Sequence, residues 1–119
     1  MTDEVIDRAA LKRLLDVIGG DPDDLAELIE EFETVTPDIL ETMKSAANAG
    51  DIAALRISAH SLKSNSRDFG AVALAGSCEA LERDCHGGDV DDPVARVAVI
   101  GSQLDAARAA LIGATAQSE

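Results

Sequence analysis

The chain has 119 residues, enough for one domain with its own core, and a formal net charge of −13. This charge repels the phosphates of nucleic acids and anionic membrane surfaces, so we expect neither as a partner. No apolar run reaches the roughly 18 residues of a membrane span, and the amino terminus is acidic where a signal peptide is basic, so we expect a cytoplasmic protein.

The composition favours packed helices. Hydrophobic residues make up 46% of the chain, but Phe32 and Phe69 are its two aromatic residues, so the core must be aliphatic. The first predicted helix covers about residues 3–18 and ends at Gly19 and Gly20. Its predicted core residues are Ile6, Ala10, Leu14 and Val17.

The second predicted helix begins at Asp21 and Pro22, an N-cap followed by a proline at the first helical position. It extends to about Asn48, with Pro37 expected to kink it rather than end it. Its apolar stripe keeps one phase on both sides of the proline. The stripe consists of Leu25, Ile29, Phe32, Val35, Ile39, Met43 and Ala46.

Three more helices follow. Gly50 and Asp51 make a tight turn into the third, over about residues 52–68. The fourth begins near residues 70–71 and the fifth at Pro93, after a loop over 86–92 that contains His86. Their apolar stripes are Leu74, Cys78, Leu81 and Cys85, and then Val94, Val97, Ile100, Leu104, Ala107 and Leu111. The two cysteines, about 10 Å apart along one helix, are too distant for a disulfide.

Amphipathic helices joined by short loops predict an all-α fold, an antiparallel up-down-up-down four-helix bundle with a short additional N-terminal helix. The bundle is assigned to residues 22–114 and the extra helix to residues 3–18 of a single domain, 1–119. One such bundle completes its own core, so we expect a monomer. A fold by itself names no function.

The third helix carries the candidate functional residue, His60. At about 100° per residue, His60 projects roughly 160° from the core residue Leu62 and so points outward. Three cations lie within about 60° of it: Arg56, Lys63 and Arg67. Small or apolar residues, including Ile57 and Ser64, border this basic stripe and allow a partner surface to approach closely. The core face of the helix comprises Leu55, Ala59, Leu62, Ser66 and Phe69.

Several interpretations of His60 are open. An exposed histidine among charges is often an inert part of a solvated face. Metal binding lacks a second His or Cys one turn away, and general-base catalysis lacks a matched nucleophile and a pocket. The remaining chemistry is nucleophilic attack on a phosphoryl group delivered by another protein, with Lys63 neutralising the phosphoryl oxygens.

The segment Ala59-His60-Ser61-Leu62-Lys63-Ser64, then Gly70-Ala71 and Cys78-Glu79-Ala80-Leu81-Glu82, resembles the signature of histidine-containing phosphotransfer (HPt) domains. The preceding segments Leu28-Ile29-Glu30-Glu31-Phe32, Thr36-Pro37 and Gly50-Asp51 also fit that family. The resemblance covers about residues 25–82 by motif and the remainder by helix order.

The resemblance implies that His60 accepts a phosphoryl group, on the imidazole nitrogen farther from the backbone, from the aspartyl phosphate of a receiver domain. It also implies that His60 passes the group to another receiver and that Lys63 supports it. Response-regulator receivers and possibly a hybrid histidine kinase are the implied partners. HPt domains have no ATP site or kinase activity, and magnesium belongs to the receiver. The partner-binding candidates are Arg56, Ile57, Ser64 and Arg67.

One residue departs from the family pattern, because Ser64 stands where HPt domains usually have glycine. A serine beside His60 is expected to alter transfer rate or partner choice. Two alternatives stay open: a degenerate, non-catalytic helical adaptor that docks receivers, and a histidine-kinase phosphoacceptor fragment. Kinase fragments of that kind usually have an acidic residue after the histidine, where this chain has Ser61, and need an attached ATP-binding domain.

Overall fold

A computed structural model describes residues 5–117, with side chains described for residues 5–113. These residues form five α-helices and no strand. The helices are α1 (Arg8–Val17), α2 (Pro22–Ala49), α3 (Ile52–Asp68), α4 (Val72–His86) and α5 (Pro93–Gln117). None of the helices in this part of the chain is long and apolar enough to cross a membrane.

Helix α1 is shorter than predicted. It begins at Arg8, because the Asp7 side chain accepts a hydrogen bond from the backbone N–H of Ala9 and so caps the helix. Residues 3 and 4 of the predicted helix lie outside the described residues. The predicted core face was wrong at Val17, which is 82% exposed, and the buried residue of α1 is Leu11. Ile6 is buried, but it precedes the helix and therefore does not set its phase.

Helix α2 continues through Pro37 as predicted, but its buried stripe is shifted in the middle. Thr36 and Leu40 are buried there, in place of the predicted Val35 and Ile39. Thr36 can be buried because its hydroxyl donates a 2.6 Å hydrogen bond to the carbonyl oxygen of Phe32. A threonine whose hydroxyl donates a hydrogen bond within its own helix can be buried in the core. The spacing of apolar residues does not predict this, because threonine is counted as polar.

Helices α4 and α5 follow their predicted stripes closely. The buried residues of α4 include all four predicted ones. In α5 the prediction was wrong at Val94, which is 51% exposed in the first turn. The helix extends to Gln117. The other predicted residues of the α5 stripe are buried: Val97, Ile100, Leu104, Ala107 and Leu111.

The packing places α3 against α4 in the most extensive contact, with α2 packed on α3 and α5, and α5 also packed on α4. The segment before α1 is held on the α3–α4 turn by a 2.7 Å hydrogen bond from Asp7 N–H to the Gly70 carbonyl. Gly70 has φ +75°, and a Cβ there would lie 2.6 Å from the Asp7 carbonyl oxygen. Glycine is therefore required at this position by both conformation and space.

Candidate functional site

Helix α3 buries one face and presents His60 on the other. Leu55, Ala59 and Leu62 are fully buried, whereas the His60 side chain is 60% exposed. The polar residues on the buried face are satisfied locally, since the Ser66 hydroxyl donates to the carbonyl oxygen of Leu62. The helix is therefore fixed in rotation by its core face, and the imidazole is directed outward as its periodicity predicts.

The imidazole of His60 is oriented by a carboxylate from the neighbouring helix α4. Its Nδ1 atom lies 2.8 Å from Oε2 of Glu82. Because an ionised carboxylate only accepts hydrogen bonds, Nδ1 carries the hydrogen in this pair. In the neutral ring, Nε2 then keeps its lone pair. Nε2 is the nitrogen farther from the backbone, so the geometry prepares that nitrogen for nucleophilic attack.

The same carboxylate also binds Lys63. The Nζ atom of Lys63 lies 2.7 Å from Oε1 of Glu82, and the Lys63 side chain is only 15% exposed. The helical projection places Lys63 on the outward side of α3 with His60, but its side chain is mostly buried because it reaches across to the carboxylate on α4. The hydrogen bond from Lys63, with a further one from His60, lowers the pKa of Glu82 despite partial desolvation. Glu82 is thus held in its ionised form between two donors.

The basic stripe of α3 is partly neutralised by α4. Arg67 forms an ion pair with Glu79, one turn along the seam from the pair of Lys63 with Glu82. The three predicted cations do line one groove, but two of them are paired with carboxylates that α4 supplies and that the helical projection of α3 alone does not include. A groove along this seam is lined by Arg56, Lys63, Arg67, Glu79, Glu82, Arg83 and His86.

Ile57 and Ser64 lie on the opposite side of His60 from this groove. On a helical projection of about 100° per residue, both are rotated away from the side that carries Arg56 and Lys63. Ile57 is 64% exposed and Ser64 is exposed. His60 thus stands between a charged groove and a small, partly apolar surface. The structure brings Arg56, Lys63 and Arg67 together in the groove, but not Ile57 and Ser64.

Cys78 lies on α4, one turn before Glu82, and its side chain is fully buried. Burial, followed by the nearby charge of Glu82, raises the pKa of its thiol to about 12. A protonated, enclosed thiol supplies no nucleophile, so its role is packing. Across residues 5–117, no group of three or more His, Cys, Asp or Glu side chains is arranged to hold a metal ion.

Glu82 is a residue of the candidate site that sequence patterning alone does not single out, although it ends the segment Cys78-Glu79-Ala80-Leu81-Glu82, which resembles the HPt signature. It is 22 positions from His60, and only the packing of α4 on α3 joins them. Its spacing from Leu81 and Cys85 places it at the edge of the buried stripe of α4. That position is the feature of the sequence that could have identified Glu82. A carboxylate at the edge of a buried stripe can form an ion pair with a cationic side chain of the neighbouring helix.

The family model "Hpt domain" matches residues 27–110 of the chain. Among solved structures, the crystal structure of histidine-containing phosphotransfer protein B (HptB) from Pseudomonas aeruginosa PAO1 is similar over 98% of both chains. The two share 28% sequence identity and superpose with a TM-score of 0.87. A search of curated proteins found no match.

Proposed function

Since this chain belongs to the Hpt domain family and has a histidine phosphotransfer role in a phosphorelay, we propose that His60 is the residue that carries the phosphoryl group. The observation that supports this most strongly is the 2.8 Å contact between Nδ1 of His60 and Glu82. It leaves Nε2 unprotonated in a side chain that is 60% exposed. The nucleophile is therefore both oriented and accessible.

The proposed reaction begins when a receiver domain brings its aspartyl phosphate to His60. Nε2 donates its lone pair to phosphorus, the P–O bond to the aspartate breaks, and the aspartate leaves as a carboxylate. The imidazole, now bonded to phosphorus and still protonated at Nδ1, carries positive charge. The ionised Glu82 faces that charge at the Nδ1 hydrogen and stabilises it. Attack by another receiver's aspartate on phosphorus reverses these steps.

Lys63 is proposed to neutralise charge on the transferring phosphoryl oxygens. It lies one turn from His60 on the same side of α3, and Glu82 holds its ammonium group beside the imidazole. In the transition state, negative charge spreads over the phosphoryl oxygens, and an adjacent cation lowers its energy. Glu82 thus positions both groups, while His60 and Lys63 touch the transferred group.

The finer features of the predicted function are also part of this proposal. We propose that the protein is a single-domain monomer, an up-down-up-down four-helix bundle with α1 as an additional helix. We propose that it acts in the cytoplasm. Its proposed partners are response-regulator receivers and a hybrid histidine kinase. Arg56, Ile57, Ser64 and Arg67 are proposed to contact the receiver. The packing of α2 to α5 and the exposure of Ile57 support this arrangement.

The experiment is a phosphotransfer assay against a panel of purified receiver domains labelled with ³²P and supplied with magnesium. We expect label to move onto the wild-type protein as an acid-labile, alkali-stable phosphate. His60→Gln should abolish the transfer, whereas His86→Gln, the matched control at the other histidine, should still accept label. Persistence of label on the His60→Gln variant contradicts the assignment. Binding of a receiver without transfer to the wild type would instead favour the non-catalytic adaptor.

A further inference from the structure

Along the line of contact between α3 and α4, which we call the seam, cationic side chains are paired with carboxylates at one end and, among the described residues, unpaired at the other. At one position Arg67 faces Glu79, and at the next, His60 and Lys63 share Glu82. These contacts show that the two helices run in opposite directions, so the beginning of α3 lies beside the end of α4. Each of these two positions pairs cationic groups on α3 with a carboxylate on α4.

One helical turn beyond Glu82, the cationic side chains that line the groove have no ion-pair partner among the described residues. Arg56, Arg83 and His86, which we call the basic end, line the same groove. Within the part of the chain that the structure describes, none of the three makes an ion pair or a side-chain hydrogen bond. All three residues are exposed. Where α4 carries a carboxylate at Glu79 and Glu82, it carries His86 here.

Two carboxylates that are close in sequence to the basic end, Asp51 and Asp84, have other partners. The Asp51 side chain accepts a hydrogen bond from the Ala54 N–H at the start of α3. Asp84, the residue after Arg83, forms an ion pair with Arg96 of α5. Neither lines the groove. Because no described carboxylate forms an ion pair with the basic end, its cationic side chains are available to an outside anion.

The basic end contrasts with the rest of the molecule. The chain has ten Lys and Arg against 23 Asp and Glu, yet four of the ten line this groove beside only two of the carboxylates. The lining thus carries a net charge of four minus two, or plus two, with His86 counted neutral. A local positive patch on a strongly negative protein orients an incoming partner, because the remaining surface repels acidic groups.

We propose that the basic end is a docking subsite for Asp and Glu side chains on the face of the receiver, and that it selects receivers with an acidic rim. The inference rests on the proposed function and adds a partner chemistry to it. Arg56 is four residues from His60 and His86 is four from Glu82, a rise of about 6 Å on each helix. The acidic rim would therefore lie one helical turn from the aspartyl phosphate.

Charges at the rim of an interface act mainly on encounter and on salt dependence, while charges at the reacting atoms act on the chemical step. Arg83 is suited to separate these effects because it is exposed and has no ion pair to lose among the described residues. Lys44→Glu on α2 is the matched control, with the same change in net charge at an exposed lysine on the groove between α2 and α5.

The test uses the receiver that labels the wild-type protein fastest in the phosphotransfer assay. For Arg83→Glu we expect the apparent KM for the phosphorylated receiver to rise about tenfold at low salt, with kcat within about twofold of wild type. The excess KM should shrink as salt is raised. Arg83→Gln should give a smaller rise, and Lys44→Glu should leave KM close to wild type. Circular dichroism checks that each variant is folded.

The outcomes separate this inference from the proposed function. If the wild type accepts label but Arg83→Glu and Lys44→Glu change KM equally, the basic end is not a docking subsite, while the function of His60 stands. A fall in kcat at unchanged KM in Arg83→Glu and Arg83→Gln also overturns the inference, since it places Arg83 in the chemical step. If no receiver labels the wild type, both proposals fail.

Discussion

Nδ1 of His60 lies 2.8 Å from Oε2 of Glu82, so a carboxylate on α4 orients the imidazole on α3. The other oxygen of the same carboxylate lies 2.7 Å from Lys63 Nζ. The Glu82 side chain thereby fixes the tautomer of His60, the proposed nucleophile, and the position of Lys63, the proposed phosphoryl-binding cation.

Removal of the Glu82 carboxylate should slow phosphoryl transfer in a graded way. Glu82→Gln keeps an oxygen that can accept from Nδ1, but has no charge and cannot serve both His60 and Lys63. Glu82→Ala loses the orienting contact altogether, and we expect its transfer rate to fall roughly tenfold or more. Single-turnover transfer from a phosphorylated receiver measures the order, wild type above Gln above Ala. Equal rates for all three would show that Glu82 has no positioning role.

Lys63→Ala should slow transfer while leaving the protein folded. The side chain is only 15% exposed and its ammonium group pairs with Glu82, so its removal leaves that carboxylate oxygen without its cation, and the free energy of unfolding should fall by about 1–3 kcal/mol. Lys63→Arg retains a cation and should retain more activity than Ala. Transfer rates and denaturant unfolding of the same samples test both statements. If Lys63→Ala unfolds the protein, the side chain has a structural role that its contacts do not indicate.

The lowered pKa of Glu82 predicts an acid-dependent loss of stability. A carboxyl group whose pKa is lower in the folded state stabilises the fold above its ordinary value of 4.5, and this contribution disappears as pH falls through the folded value. Urea unfolding at pH 7, 5, 4 and 3 should therefore show a flatter pH profile for Glu82→Gln than for wild type. Glu30→Gln, at an exposed position of α2, is the control and should follow wild type.

Ser64 should limit how closely a receiver approaches His60. The two residues are one turn apart on the exposed side of α3. Ser64→Gly should increase the transfer rate or widen the range of receivers accepted, at a cost of about 0.5 kcal/mol in helix stability. Ser45→Gly, at an exposed helical position of α2, carries the same helix cost and should leave transfer unchanged. A transfer rate for Ser64→Gly below that of wild type would contradict this interpretation.

Gly70→Ala should release the segment before α1 from the α3–α4 turn. The added Cβ would lie 2.6 Å from the Asp7 carbonyl oxygen, at a residue with φ +75°. We expect a loss of more than about 1 kcal/mol in unfolding free energy, together with faster amide exchange at Asp7. Gly76→Ala is the matched control, because a Cβ there meets nothing and a helical alanine should stabilise.

Much of the fold follows from local pattern. The bounds of α3 agree with its glycine and aspartate signals, and its core face from Leu55 to Ser66 is buried as the periodicity predicts. Where the prediction failed, the reason was a property that residue type does not carry. Thr36 can be buried because its hydroxyl donates a hydrogen bond within α2. Val17 is exposed because α1 packs on α2 and α3 over a small area, where Leu11 is its buried residue.

The sequence by itself determined the helices, the outward direction of His60 and the presence of Lys63 one turn away, because these depend on spacings of three and four residues along one helix. Only the tertiary structure decided which charges meet. Glu82 is 22 residues from His60, and the packing of α4 on α3 joins them and pairs Lys63 with the same carboxylate. Among the described residues, Arg56 and His86 line the same groove without an ion pair. Charged residues can be counted from the sequence, but whether an opposite charge lies close enough to pair with each one depends on the distances between helices.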